Sequence, residues 1–154
     1  MPKQSAGLLL YRRRNAGIEV FLIHPGGPFW AKKDSGAWSI PKGEYTTDED
    51  PLAAAKREFE EETGFTAQGN FVELGAIRQP GGKIITVWTL EGDCNPAQLR
   101  SNTFTMEWPP RSGRRIEAPE ADRGCWYSIE EARAKLLPGQ RPFLDRLLDA
   151  ISAK

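Results

Sequence analysis

Four glutamates fall within five positions of the segment REFEEETGF, which spans residues 57–65: Glu58, Glu60, Glu61 and Glu62. On a helix, like charges at i and i+4 are destabilising by about 0.2–0.5 kcal/mol per pair. One explanation is a charged face exposed to water and supported by Lys56 and Arg57. The other is a site for a cation, because clustered carboxylates are the ligands that hard divalent ions such as Mg²⁺ and Mn²⁺ prefer.

The helix that carries these glutamates has clear start and stop signals. Asp48 or Asp50 can cap its beginning, Pro51 suits the first helical position, and Gly64 suits the position just after the last turn. Its apolar stripe consists of Leu52, Ala55 and Phe59. Three of the glutamates lie roughly 100° around the helix from that stripe, at the edge of the buried face: Glu58, Glu61 and Glu62. We expect Glu60 to point to water.

The stretch from Gly43 extends this pattern well beyond the glutamates. It reads GEYTTDEDPLAAAKREFEEETGF, which fits the Nudix box: Gly, five residues, Glu, seven residues, Arg-Glu-apolar-x-Glu-Glu-x-Gly-apolar. The matching positions are Gly43, Glu49, Arg57, Glu58, Phe59, Glu61, Glu62, Gly64 and Phe65. Chance would match all nine less than roughly once in a hundred million start sites. The chain therefore resembles a Nudix hydrolase, with its box at residues 43–65.

The resemblance implies roles for the residues of the box. Glu58, Glu61 and Glu62 would be ligands of Mg²⁺, with Mn²⁺ as an alternative, and either Glu58 or Glu62 would take a proton from a metal-activated water. Gly43 would let the loop backbone approach the metal closely. Arg57 would orient the carboxylates of the box, and Glu49 would have a structural or salt-bridging part.

Relatives often supply one more acid from outside the box, as a metal ligand or a base. The candidates are Glu107, Glu117 and Glu120. We favour Glu120, which lies just ahead of the last predicted strand, with Glu117 second; the alternative for either is an ordinary surface acid. Lys42, next to the box, is a candidate phosphate contact or a solvated loop lysine.

Residues outside the box bear on the substrate. The segment WSIPKGE and the pattern PE.DR..W at Pro119–Trp126 resemble those of NTP pyrophosphohydrolases and dinucleoside polyphosphate hydrolases. Pro80 falls near where ADP-ribose pyrophosphatases carry a proline, but QPGGK reads more simply as a hairpin turn. We interpret the lone His24, at the end of a predicted strand, as structural rather than catalytic.

Aromatic and basic side chains share the predicted loops. The aromatic residues Phe29, Trp30 and Trp108 could stack on a base or pack over the edge of the core. The guanidinium groups of Arg111, Arg114 and Arg115 could bind additional phosphates or remain solvated. Our predicted substrate-binding residues are Lys42, Arg111, Arg114 and Trp30.

The predicted function is Mg²⁺-dependent hydrolysis of a diphosphate linkage in a nucleoside polyphosphate, either an NTP or a dinucleoside polyphosphate. Two alternatives remain open. One is a pyrophosphatase of ADP-ribose or nucleotide sugars, and the other is a Nudix-fold nucleotide-binding module without catalysis. The intact glutamates of the box speak against the second alternative.

The elements that position the box read as strands on both sides of one central helix. Strands are predicted at 5–13, 18–25, 70–79, 83–93 and 124–129, with a brief one at 37–40, and residues 95–118 are predicted to be irregular. Two helices are predicted at 128–137 and 141–153. The result is an α/β protein with a mixed sheet, which agrees with the α/β/α sandwich that the resemblance implies.

Composition sets broad limits. The 154 residues fit one domain, 1–154, and the 21 basic residues balance 21 acidic ones, which favours neither a nucleic-acid nor a membrane partner. No segment resembles a signal peptide or a membrane span, so we expect a cytoplasmic protein. Cys94 and Cys125 are expected to be reduced, part-buried thiols. The resemblance allows a monomer or a homodimer.

Overall fold

The computed structural model describes residues 3–15 and 17–152. It begins with two long antiparallel strands, β1 (Gln4–Arg14) and β2 (Gly17–Pro25), in which Tyr11 pairs with Val20. The predicted hairpin is therefore confirmed. Its predicted turn at Asn15–Gly17 includes Ala16, which lies outside the described residues.

The hairpin forms the middle of a six-stranded sheet. Its other strands are β3 (Lys42–Tyr45), β4 (Val72–Arg78), β5 (Ile84–Glu91) and β8 (Ala121–Ser128). Five strands follow the order β4-β5-β1-β2-β8, and the sixth, β3, pairs with the first residues of β1. Strand β5 runs parallel to β1, while the other pairs are antiparallel. The prediction of a mixed sheet is confirmed.

Helices cover both faces of the sheet: α1 (Pro51–Thr63) on one face, α2 (Ile129–Lys135) and α3 (Pro142–Ser152) on the other. Phe59 of α1 packs against one face of the hairpin, while Phe143 and Leu147 of α3 pack against the opposite face. These two separate hydrophobic cores make the molecule the α/β/α sandwich that the sequence predicted.

The ends of α1 follow the predicted signals. The carboxylate of Asp50 accepts a hydrogen bond of 3.0 Å from the backbone N–H of Ala53, and Pro51 occupies the first helical position. Gly64 ends the helix with φ of 79°, a left-handed conformation that a residue with a Cβ adopts at a cost. These caps fix where the glutamates face.

Two predicted segments differ from the structure. The brief strand predicted at 37–40 is reduced to isolated bridges at Trp38 and Ser39, and the strand forms instead at Lys42–Tyr45, just after Pro41, which has no N–H to donate. The stretch 95–118 is not irregular throughout. It contains a 3₁₀ turn at Pro96–Gln98 and a separate hairpin of β6 (Thr103–Glu107) and β7 (Arg115–Pro119).

The two cysteines are in the state that the sequence predicts. Cys94 and Cys125 are both free and half-buried, as predicted. Within residues 3–15 and 17–152, none of the helices is long and apolar enough to cross a lipid bilayer.

Candidate active site

The carboxylates of α1 separate as the helix geometry predicts. Glu58 is nearly buried, Glu61 and Glu62 are half-buried, and all three lie on the side of the helix that approaches β3 and the strand end before β8. Glu60 is exposed, and its carboxylate accepts a hydrogen bond from the Thr66 hydroxyl at 3.2 Å. Three of the four glutamates therefore share one environment.

Arg57 braces this group of acids. Its Nε and Nη2 donate to the two carboxylate oxygens of Glu49, both at 3.0 Å, in a bidentate pair. Its Nη1 donates to Glu58 at 2.8 Å and to Glu61 at 3.1 Å. These hydrogen bonds raise the pKa of Arg57, the bond to Glu49 most of all. One guanidinium thus fixes three carboxylates of the box relative to each other.

Strand β3 closes the site from the other side. The backbone N–H of Lys42 donates to the carboxylate of Glu62 at 3.0 Å. At Gly43, a Cβ would lie 1.9 Å from one carboxylate oxygen of Glu58 and 2.6 Å from the other. Glycine is required there because the Glu58 carboxylate occupies the space of a side chain.

Glu120 joins the site through the backbone. It lies between β7 and β8, and its N–H donates to the carbonyl of Asn102 at 2.8 Å. The N–H of Asn102 in turn donates to the carbonyl of Glu61 at 2.7 Å. This bridge places Glu120 beside the end of α1. Nothing in the sequence pattern indicated that the backbone of Asn102 would link the two.

The other two candidate acids face elsewhere. Glu107 accepts hydrogen bonds from the N–H groups of Arg111 and Gly113, at 2.9 and 3.0 Å, so its carboxylate caps the turn between β6 and β7. Glu117 is exposed on β7, opposite Thr105. Among the three candidates, Glu120 is the acid that shares the electrostatic environment of the box.

Burial and mutual repulsion disfavour the ionised forms of the carboxylates in this site. Burial raises the pKa of Glu62 to about 8, despite the hydrogen bond from Lys42, and it also raises the pKa of Glu58 and of Glu120. The neighbouring carboxylates add to each shift, Glu61 acting on both Glu58 and Glu120. Burial lowers the pKa of the Lys42 ammonium, which faces Glu62. A bound cation would stabilise the ionised carboxylates and so lower their pKa values.

The donor set fits a hard divalent ion, although the side chains are not arranged around one. Within the described residues, no three His, Cys, Asp or Glu side chains converge as a metal site. The reason lies in the contacts above: Arg57 draws Glu58 and Glu61 to one side, and the Lys42 N–H holds Glu62. Two features of the site suit the ion. Its carboxylates have raised pKa values, and the missing Cβ of Gly43 leaves room for the carboxylate of Glu58.

The raised pKa of Glu62 predicts how the stability of the metal-free protein depends on pH. In the folded state Glu62 keeps its proton up to about pH 8, whereas its ordinary pKa is 4.5. The contribution of Glu62 to stability is therefore greatest below its ordinary pKa of 4.5 and falls as pH rises toward about 8, because the unfolded state releases the proton in this window while the folded state keeps it. We expect Glu62→Gln to flatten this fall in melting temperature between pH 5 and pH 8. An unchanged slope would contradict the assigned pKa.

The structure does not bring all four predicted substrate-binding residues together. Trp30 is half-buried and packs edge-to-face on Phe29, with ring centroids 5.0 Å apart. Arg111 and Arg114 are exposed at the tip of the β6–β7 hairpin, and within the described residues neither guanidinium pairs with an acid of the box. Lys42 alone of the predicted set lies inside the acidic site.

The sequence analysis also missed two pairs near the site. Lys83, which follows the β4–β5 turn, lies with its ammonium 2.9 Å from the carboxylate of Glu44, next to the box glycine. His24 is fully buried, with Asp122 at 2.9 Å from its Nδ1. The structural role predicted for His24 is confirmed, but its partner could not be read from the sequence because 98 residues separate the two.

Comparison with known proteins agrees with this architecture. Residues 1–147 match the model of the NUDIX domain. An RNA pyrophosphohydrolase of Stenotrophomonas maltophilia (strain K279a) is 43% identical over 53 residues, which are 34% of this chain and 25% of that protein. The match thus spans about a quarter of the length of that curated relative.

Solved structures share the fold across nearly the whole chain. A C. elegans Ap4A hydrolase in a binary complex has a TM-score of 0.69 at 21% identity, with 99% of each chain covered. The NUDIX domain of Shewanella oneidensis NrtR, complexed with ADP ribose, has a TM-score of 0.67 at 12% identity and covers 98% of this chain and 89% of its own. Since the family model matches residues 1–147, the chain belongs to the NUDIX domain family.

Proposed function

We propose that the chain is a Mg²⁺-dependent pyrophosphohydrolase of nucleoside polyphosphates, acting on NTPs or on dinucleoside polyphosphates. The observation that carries the proposal is the group of buried carboxylates with raised pKa, braced by Arg57 and closed by the Lys42–Gly43 backbone. Such a group suits a divalent ion, because the ion supplies the positive charge that the acids lack. The ion would in turn hold the oxygens of a diphosphate.

Glu58, Glu61 and Glu62 would hold the ion, with Glu120 as a further acid at its edge. When bound, the ion lowers the pKa of water and neutralises charge that develops on phosphoryl oxygens. Glu62 would accept a proton from the attacking water, since the bound ion would lower its raised pKa and the Lys42 N–H fixes its orientation. The Lys42 ammonium, held in the same site, would contact a phosphate oxygen.

Aromatic and basic side chains outside the acidic site favour a substrate with more than a bare diphosphate. The Phe29–Trp30 pair offers aromatic surface, and the exposed hairpin tip carries Arg111 and Arg114. Base stacking contributes about 1–3 kcal/mol per contact, and guanidinium groups bind phosphate in a forked geometry. Pro80 does not favour ADP-ribose, since it lies in a β4–β5 turn closed by a hydrogen bond of 2.9 Å from Gly82 N–H to the Gln79 carbonyl.

A substrate screen tests the proposal. NTPs, diadenosine polyphosphates, ADP-ribose, a nucleotide sugar, diphosphoinositol phosphates and 5′-triphosphorylated RNA are each incubated with Mg²⁺, and released phosphate and nucleotides are measured. We expect the highest kcat/KM with an NTP or a dinucleoside polyphosphate, and loss of turnover on chelation. A preference for ADP-ribose or a nucleotide sugar would favour that alternative, and the RNA would test the expectation of no nucleic-acid partner. No turnover of any anhydride would refute the proposed function.

A further inference from the structure

The loop of residues 26–36, here called the aromatic loop, presents an unusual surface. Phe29 is 54% exposed and is the one large hydrophobic side chain that is exposed in the part of the chain that the structure describes. The Lys33 ammonium lies 3.5 Å from the centroid of its ring, and Trp30 packs against its edge. A ligand that covered this exposed aromatic ring would gain the free energy of burying it.

A buried histidine holds the middle of this loop from beneath. His24, at 0% exposure near the end of β2, places its Nδ1 at 2.9 and 3.1 Å from the two carboxylate oxygens of Asp122 on β8. Its Nε2 lies 2.6 Å from the backbone carbonyl of Lys33. The ring thus links β8 to the residue whose ammonium covers Phe29, and a polar ring is buried there for its hydrogen bonds rather than for apolar packing.

A second set of contacts fixes the end of the loop. The carboxylate of Asp34 accepts from the Trp38 indole N–H at 2.8 Å and from the ammonium of Lys135 on α2. The Arg123 guanidinium lies 5.3 Å from the centroid of the Trp38 ring. The aromatic loop is therefore held at two points by side chains of the scaffold.

The loop also begins at the acidic site. The N–H of Gly26 donates to the carbonyl of Glu120 at 3.0 Å, so the first residue of the loop is tied to the acid that neighbours Glu61. At Gly27, a Cβ would lie 3.4 Å from Phe104 and 3.5 Å from Met106, so the β6–β7 hairpin packs against the loop. The loop that carries the exposed aromatic surface thus starts at a fixed point next to Glu120.

We propose that the His24–Asp122 pair is a positioning device that holds the aromatic loop ready to stack on the base of the substrate. The inference rests on the proposed function, in that the substrate carries a nucleobase. A loop that is already ordered loses less conformational entropy when it binds, so fixing it increases affinity without adding a contact to the ligand. Asp122 and His24 act through the loop, and Phe29 and Trp30 are the residues that touch the base.

The test compares two ligands that differ only in the base, AMP and ribose 5-phosphate, by NMR titration of their dissociation constants. We expect the wild-type protein to bind AMP at least about tenfold more tightly, the scale of a stacking contact. Asp122→Asn keeps the shape but removes the charge from the pair, and charge-assisted hydrogen bonds are roughly twice as strong as neutral ones. In this variant we expect the preference for AMP to fall to about threefold or less, with ribose 5-phosphate unaffected.

Two further variants separate positioning from general destabilisation. His24→Asn keeps a side-chain amide near Asp122 but cannot reach the Lys33 carbonyl, so it too should lose the preference for AMP. Asp145→Asn, which removes an exposed carboxylate paired with Arg133, should retain it. In a background that carries both Phe29→Ala and Trp30→Ala, Asp122→Asn should cause no further change, because the surface that it positions is gone.

Several outcomes would overturn the inference. These are a wild-type protein without preference for AMP, an unchanged preference in both Asp122→Asn and His24→Asn, or equal weakening of both ligands, which indicates a merely structural role. Failure of the proposed function is distinguishable, since the NMR titrations need no turnover. A protein that hydrolyses no anhydride but shows the expected loss of preference would contradict the activity and keep the positioning role.

Discussion

Replacing Glu62 with glutamine is expected to lower kcat by roughly 10²–10⁴-fold, the scale of a lost general base. The amide oxygen of glutamine can still accept the hydrogen bond that Glu62 receives from the Lys42 N–H at 3.0 Å, so the side chain should keep its place. What disappears is the negative charge that, under the proposed function, would bind a divalent ion and accept a proton. Steady-state kinetics over a range of Mg²⁺ concentrations measures both losses.

The same substitution should have the opposite effect on stability. Burial disfavours the ionised form of Glu62, as its pKa of about 8 indicates, so a neutral amide is easier to bury than a carboxylate at high pH. We expect the metal-free variant to melt at a higher temperature than the metal-free wild-type protein at pH 9. Added Mg²⁺ should raise the melting temperature of the wild-type protein and leave that of the variant nearly unchanged.

Glu60→Gln is the matched control, because it removes one carboxylate from the same helix. Glu60 is exposed, and its contact with Thr66 is at the surface. We expect kcat and its dependence on Mg²⁺ to stay within about twofold of the wild-type values, as is usual for surface substitutions. Wild-type kcat in the Glu62 variant, or an equal loss in the Glu60 variant, would refute the division of the glutamates into three site residues and one bystander.

The sequence predicted the central part of this site because its geometry is local. A single helix with an Asp cap and a Gly stop fixes the angles between Glu58, Glu61 and Glu62, and no long-range contact can alter that spacing. The same holds for the β1–β2 hairpin, whose strands are neighbours in the chain. Periodicity and capping are sufficient where the relevant residues lie within one or two turns.

The rest of the site depends on contacts between distant segments. Glu120 reaches α1 through the backbone of Asn102, and His24 meets Asp122 across 98 residues. The β6–β7 hairpin was missed although both strands alternate polar and apolar residues, because each strand has only five residues and a proline-rich turn separates them. Such pairings depend on packing between distant segments. The periodic pattern of one segment does not reveal them.

Gly43→Ala is the second substitution for which we expect a large effect. Gly43 is not needed for a left-handed conformation, since its φ lies outside the positive range, but a Cβ there would lie 1.9 Å from a carboxylate oxygen of Glu58. The obstructed group is the end of a flexible side chain, so the strand can stay in place while the carboxylate moves away. We therefore expect an intact fold with a displaced Glu58.

The displacement should appear in activity and in metal affinity more than in stability. Misplacing a catalytic group by about 1 Å can lower the rate roughly 10²-fold, and we expect a fall of that order in kcat for Gly43→Ala. Affinity for Mn²⁺, measured by electron paramagnetic resonance, should weaken with it. Gly17→Ala is the matched control, because a Cβ at Gly17 meets no atom within 4 Å among the described residues. If both variants kept full activity, the close packing of Glu58 on Gly43 would have no part in catalysis; if Gly43→Ala instead unfolded, its role would be structural.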